Sequence, residues 1–294
     1  QLGPDNQGEV WMAGYEYSIA AVEGFSHIHA WTMAGLMMMP QTKDFSFANS
    51  RPDNAHRGAG AGYHSRIEKS TEVGSPGYYS CYLFDEDVKA EITTTNRCGY
   101  QRYTFPKKKE SRILMDLLFP AEYSYRVDEG MLRKVSDTEV EGYAKTYASW
   151  FNEYTLHFVI KFSKPFKSFN AWDNGHIIND TTAVLGKNDV GAWVVYETDT
   201  DEVITVKTGL SYVSIDQARL NLKTETDKFG WDFDAVAADA RHEWNELLRR
   251  IKIEDKNETN KITFYNKLYR TYNGKKKYSY VNVKYMDDWE REQT

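Results

Sequence analysis

Between residues 10 and 225 polar turns divide the chain into short aromatic and β-branched runs, a pattern that leaves few folds open. Residues 77–84 read Gly-Tyr-Tyr-Ser-Cys-Tyr-Leu-Phe and end in the turn-like Asp85-Glu86-Asp87. Residues 88–95 alternate apolar and polar side chains with period two before Asn96-Arg97, and residues 98–105 form a third run that stops at Pro106. Three short strands with polar turns predict an antiparallel meander. Further runs occupy 112–118, 123–127, 145–147, 155–162, 191–197 and 203–213. Strands this numerous, without regularly interposed helices, favour a large antiparallel β-sandwich over a parallel α/β sheet.

Near Phe229 the period changes. Asp232 is placed to cap a helix in which Phe233, Val236, Ala237, Ala240, Trp244, Leu247, Leu248 and Ile251 form one apolar stripe. Arg249 and Arg250 fall at its negative C-terminal end. A second helix is expected on Ile262, Tyr265, Leu268, Tyr269 and Tyr272, stopped by Asn273-Gly274, and Lys275-Lys276-Lys277 opens a polar tail. The expected organisation is a sandwich domain at 1–228, a helical linker at 229–273 and a tail at 274–294. A length of 294 residues suits one large domain with such an appendage.

Composition removes several classes of function. A formal net charge of −6 argues against a dedicated nucleic-acid binder, which would present a basic face. Aromatic residues at 15 % exclude a disordered chain. No apolar run approaches the roughly 20 residues of a membrane span, and the nearest, at 33–40, is interrupted by Gly35. Cys81 and Cys98 are too few for a disulfide scaffold or a zinc site; a single bridge and two buried thiols both remain open.

The segment richest in chemistry is Gly24-Phe25-Ser26-His27-Ile28-His29-Ala30-Trp31-Thr32-Met33-Ala34-Gly35. If residues 25–31 are extended, His27, His29 and Trp31 share a face. Two imidazoles and an indole suit a sugar, whose C–H face stacks on Trp and whose hydroxyls hydrogen-bond to His. The plainer reading is a buried strand whose histidines bond to backbone. His-x-His also resembles a pair of metal ligands, but no third ligand stands at a diagnostic spacing. Glu23 is the one carboxylate beside this segment, and an exposed strand-end acid is its plainer reading. Trp172-Asp173-Asn174-Gly175-His176 reads as a turn displaying an aromatic and an imidazole, or as an ordinary surface turn. Gly58-Ala59-Gly60-Ala61-Gly62 is a loop without the strand–helix context of a dinucleotide site.

Several stretches together resemble glycoside hydrolase family 92, in its amino-terminal domain. They are Gly14-Tyr15-Glu16-Tyr17, residues 22–29, Ser75-Pro76-Gly77-Tyr78-Tyr79-Ser80, residues 89–95, Arg102-Tyr103-Thr104-Phe105-Pro106 and, above all, residues 209–222. Trp244-Asn245 and Leu248-x-x-Ile251 are similar to the family's connecting segment. The resemblance implies a β-sandwich (a supersandwich), a helical linker and then an (α/α)6 catalytic barrel that is expected to lie outside this chain. It further implies a calcium-dependent, inverting exo-α-mannosidase acting on mannose-containing glycans, secreted, periplasmic or at the cell surface. The acid, the base and most calcium ligands would then belong to the barrel, and this chain alone would be inactive. Trp31 matches a position that contacts the leaving-group sugar in members cleaving α-1,2 linkages, and His27, His29 and Glu23 fall in or beside the same motif. A non-catalytic carbohydrate-binding sandwich is the alternative, and a purely structural sandwich with Trp31 in the core is a third.

Overall fold

Alternation along the strands is realised as two stacked antiparallel sheets. The computed structural model describes residues 3–5, 17, 20–22, 24–27, 35–44, 65–118, 126–148, 152–273, 281–282, 285–286 and 291–293. The early strands are β1 (Gly3–Asp5), β2 (Ala21–Val22), β3 (Gly24–Ser26), β4 (Met37–Gln41), β5 (Ser65–Arg66) and β6 (Val73–Ser75). The meander follows as β7 (Tyr78–Leu83), β8 (Val88–Thr94) and β9 (Cys98–Phe105), then β10 (Lys108–Asp116), β11 (Arg126–Ser136), β12 (Glu139–Ala148) and β13 (Asn152–Phe162). The last strands of the sandwich are β14 (Ser168–Asp173), β15 (His176–Ile178), β16 (Ala183–Gly186), β17 (Val190–Thr198) and β18 (Glu202–Ser211).

A seven-stranded sheet runs β1-β3-β4-β10-β17-β14-β15, and a nine-stranded sheet runs β16-β11-β12-β13-β18-β9-β8-β7-β6. Every ladder among the described residues is antiparallel. The expected sandwich and its β7–β8–β9 meander are therefore both present. The main core lies between the sheets and joins Phe25, Met38, Leu114, Trp172 and Val194 of the smaller to Tyr103, Phe105, Leu132, Phe158 and Val206 of the larger. Strand β4 sits between β3 and β10, and Met37, Met38 and Met39 are all fully buried, so it reads as a continuous apolar run.

The outer face of the nine-stranded sheet carries helices. Helix α1 (Ile215–Thr226) begins where the sequence pattern still looked strand-like. Ser214 caps it by accepting from the Gln217 N–H at 3.1 Å, a bond worth about 1 kcal/mol. Its residues Ala218 and Leu222 pack on Cys98 and Val159. This packing needs glycine at 209, because a Cβ there would stand 2.5 Å from the Ala218 carbonyl oxygen.

Helix α2 (Phe233–Leu248) starts at Asp232 as the sequence predicts, with the Asp232 carboxylate accepting from the Ala235 N–H at 3.0 Å. Phe233 and Val236 pack against Tyr100 of β9. Helix α3 (Glu258–Asn273) follows and meets α2 through Trp244 and Tyr269, whose ring centroids are 4.7 Å apart. No described helix is long and apolar enough to cross a membrane.

Candidate functional site

The smaller sheet delivers the start of the His/Trp segment. Strands β3 and β4 pair Phe25 with Met38 and Ser26 with Met37. One step further, His27 and Leu36 would be the next partners, but the ladder ends there. Leu36 has φ +42°, a left-handed conformation that costs a side-chain-bearing residue roughly 1–2 kcal/mol. Such strain persists where the surroundings over-determine it. Here the Leu36 side chain is fully buried and its carbonyl oxygen accepts from Nδ1 of His27 at 2.8 Å.

The other side of the imidazole faces the larger sheet. Nε2 of His27 lies 3.4 Å from the side-chain nitrogen of Gln101, and Oε1 of Gln101 accepts from the Tyr103 hydroxyl. An amide nitrogen only donates and a carbonyl only accepts, so His27 accepts on Nε2 and carries its proton on Nδ1. The bonds form one directional chain across the core, from Tyr103 through Gln101 and His27 to the Leu36 carbonyl. His27 is 1 % exposed, and Gln101 and Tyr103 are fully buried.

These contacts correct the expectation of an open His27 surface. Phe25 and His27 face the inter-sheet core, where Phe25 also meets Tyr103 at 6.3 Å between ring centroids. His27 thus follows the plainer reading, a buried histidine bonded to backbone. Glu23, His29 and Trp31 lie outside the described residues, as does the Gly58–Gly62 loop.

Trp172 is likewise a core residue rather than a displayed one: it is fully buried and its indole N–H donates to Asp189 at 2.6 Å. The turn itself is real. Asn174 and Gly175 have φ +49° and +77° and join β14 to β15, leaving His176 exposed. Cys81 and Cys98 are free, buried thiols, and burial pushes the Cys81 thiol up to about 12. Among the described residues no group of three or more His, Cys, Asp or Glu converges as metal ligands would.

A second polar assembly ties the helices to the outer sheet face. Arg102 of β9 bonds Glu91 of β8 at 2.8 and 3.0 Å and reaches Asp234 of α2 at 2.9 and 3.0 Å. Its guanidinium lies 4.3 Å from the Phe233 ring centroid. Burial pushes the Glu91 carboxyl up, but bonds from Arg102 and Tyr78 outweigh it and hold the group below its ordinary value. Glu225 of α1 clamps the β8–β9 turn by accepting from Thr95, from the Arg97 N–H and from the Arg97 guanidinium at 2.5–2.9 Å.

Further along, Asn282 donates to Gln217 at 2.9 Å, Gln217 to Asn221 at 3.0 Å, and Asn221 to the Leu210 carbonyl at 2.8 Å. Three amides thereby fasten residue 282 to the end of β18. Gln101, Gln217 and Asn221 were not singled out from sequence. The available signal was an amide at an inward strand position between Tyr103 and Gly99, and amides facing the apolar side of α1.

Residues 1–211 match the Glycosyl hydrolase family 92 N-terminal domain, and residues 217–294 match the Glycosyl hydrolase family 92 catalytic domain. The whole chain superposes on 40 % of a family GH92 α-mannosidase from Bacteroides thetaiotaomicron, with a TM-score of 0.86 and 25 % identity. A family GH92 inverting mannosidase from the same organism shares the fold at a TM-score of 0.75 and 18 % identity, over 99 % of this chain and 37 % of that one. An uncharacterized secreted glycosidase of Arthroderma benhamiae is 24 % identical over 307 residues, which cover 92 % of this chain and 36 % of that protein. The chain therefore spans 36–40 % of the length of these relatives.

Proposed function

Since the chain belongs to glycosyl hydrolase family 92, we propose that it forms the β-sandwich wall of an inverting exo-α-mannosidase acting on α-1,2-linked mannose of mannose-rich glycans. The observation that carries this reading is the superposition of the full chain on a GH92 α-mannosidase at a TM-score of 0.86. The catalytic carboxylates belong to a companion (α/α)6 domain that closes against this wall. There an acid protonates the glycosidic oxygen while a base activates water on the opposite face, the two carboxyls standing roughly 6.5–9.5 Å apart.

In this reading residues 1–228 are the wall, including α1, which packs on β18 and β13; residues 229–273 are the linker, and residues 274–294 lead into the catalytic body. Trp31 orients the departing sugar, with His29 and Glu23 beside it in sequence as its polar neighbours. That is a positioning contribution rather than a chemical one. Calcium is held by the companion domain, where it would bind sugar hydroxyls as a hard cation does. A location outside the cytoplasm, secreted, periplasmic or on the cell surface, accords with the secreted relative of Arthroderma benhamiae.

The test compares two substrates in the complete enzyme. Trp31→Ala is expected to lower kcat/KM on α-1,2-mannobiose by about tenfold or more while an activated aryl mannoside changes little, because only the disaccharide carries a leaving-group sugar to orient. Equal loss on both substrates, or none, removes Trp31 from the site. Affinity of this chain alone for mannose disaccharides by calorimetry, without any hydrolysis when the companion domain is added, would favour a carbohydrate-binding module instead.

A further inference from the structure

Val206 of β18 points into the core, so Lys207 stands on the outer face of the nine-stranded sheet. Its ladder partners are Tyr100 of β9 on one side and Lys161 of β13 on the other. The residue is only 7 % exposed, but among the described residues no acceptor hydrogen-bonds its ammonium and no carboxylate pairs with it. Its close neighbours are rings: Nζ lies 4.2 Å from the Trp231 ring centroid and 5.5 Å from that of Tyr100. Other well-covered cations are treated differently, since Arg97 is paired with Glu225, Arg102 with Glu91 and Arg112 with Glu110. Lysine is seldom buried unless paired, because an ammonium stripped of water needs acceptors in return. A ring face attracts the charge but offers no lone pair to its three N–H groups.

The surroundings sharpen the deficit. Like charges in directly opposed cross-strand positions repel, and Lys161 faces Lys207 in this way. Burial is the main influence holding the Lys207 ammonium below its ordinary value; Asp227 opposes it and Lys161 adds to it. Lys161 is partly exposed and sits 3.5 Å from Glu139. Trp231, 42 % exposed, follows left-handed Gly230 between the turn Asp227–Phe229 and helix α2. We propose that Lys207 and Lys161 form a binding site for a phosphate group, walled by Trp231 and Tyr100. Phosphate supplies the acceptors that the protein withholds, in charge-assisted bonds from both lysines. It also carries nearly two negative charges against their two positive ones, where a carboxylate would carry one. The group arrives either as inorganic phosphate or as a sugar phosphate whose ring lies against the exposed indole. Nothing in this site depends on the mannosidase reading.

The test measures binding of inorganic phosphate and of glucose 6-phosphate to the complete enzyme by calorimetry at constant ionic strength. A glucose ester is used so that a mannose pocket does not contribute. Phosphate is expected to bind the wild type, and Lys207→Met to weaken it by about tenfold because the buried charge is the main partner. Lys161→Met weakens it by about threefold, as suits a more exposed cation. Glu139→Gln tightens it by a similar factor by freeing Lys161 from its competing carboxylate. No phosphate affinity in the wild type, or the same affinity in Lys207→Met, overturns the site and leaves the ammonium held by its two rings alone. Tighter binding of glucose 6-phosphate than of phosphate, with the gain lost in Trp231→Ala, identifies a sugar phosphate as the ligand. Equal or weaker binding of the ester identifies phosphate itself. Should Lys207→Met not fold, Lys161→Met and Glu139→Gln carry the test, and affinities that do not move in opposite directions overturn the site.

Discussion

Strand β9 has two faces, and they solve the same problem of burying polar groups in opposite ways. Inward, Gln101 and Tyr103 join His27 and the Leu36 carbonyl in a chain of neutral bonds between the two sheets. Outward, Arg102 is paired with Glu91 and Asp234 beneath helix α2. The difference follows from water. The inter-sheet layer is buried, and there an isolated charge is prohibitively costly but a satisfied neutral chain is not. On the outer face Asp234 keeps a side chain that is 77 % exposed, so the charge of Arg102 is only partly desolvated. Neutral directional bonds join the two sheets with little dependence on salt, whereas ion pairs dock a helix strongly but conditionally.

The largest effect is expected on the charged face. Arg102→Met leaves Glu91, which is 4 % exposed, with only the Tyr78 hydroxyl and the Lys89 ammonium as partners, and should cost about 2 kcal/mol of unfolding free energy in denaturant titrations, less than a fully buried pair because those partners and the partly wet Asp234 remain. Loss of well under 1 kcal/mol would mean that the ion pair is not what holds α2 on the sheet. The same face is expected to weaken with acid. Glu91 is held below its ordinary value, so the folded chain binds that proton less readily than the unfolded chain does. Its contribution is complete above the unfolded value of about 4.3 and disappears as pH falls through the lower folded value.

A smaller effect belongs to the inner face. Tyr103→Phe removes one neutral donor and should cost about 1 kcal/mol, with no dependence on salt. A salt-dependent loss would show that the inter-sheet chain is charged and that the two faces are not different in kind.

Much of this division was legible before the structure. Alternation in residues 88–95 and 98–105 announced β8 and β9, and the stripe from Phe233 to Ile251 announced α2 with its Asp232 cap. Helix α1 was hidden because its buried face includes Gln217 and Asn221, which interrupt the apolar period that identifies a helix. Strand β4 was hidden for the opposite reason, since both its neighbours cover it and no polar residue breaks Met37-Met38-Met39. Period two puts His27 on one face with His29 and Trp31 but carries no information on which face is the core. That choice depends on Gln101 and Tyr103, some 75 residues away in sequence, and no local pattern contains it. The glycine at 209 and the tilt of Trp172 into the core toward Asp189 are of the same non-local kind.

The most direct measurement is the anomeric configuration of the first mannose released from α-1,2-mannobiose by the complete enzyme, followed by ¹H NMR before mutarotation intervenes. β-Mannose should appear first, as a water attacking opposite the departing sugar requires. α-Mannose as the first product, or an enzyme that binds the disaccharide and releases nothing, would contradict the assignment of this sandwich to an inverting exo-α-mannosidase.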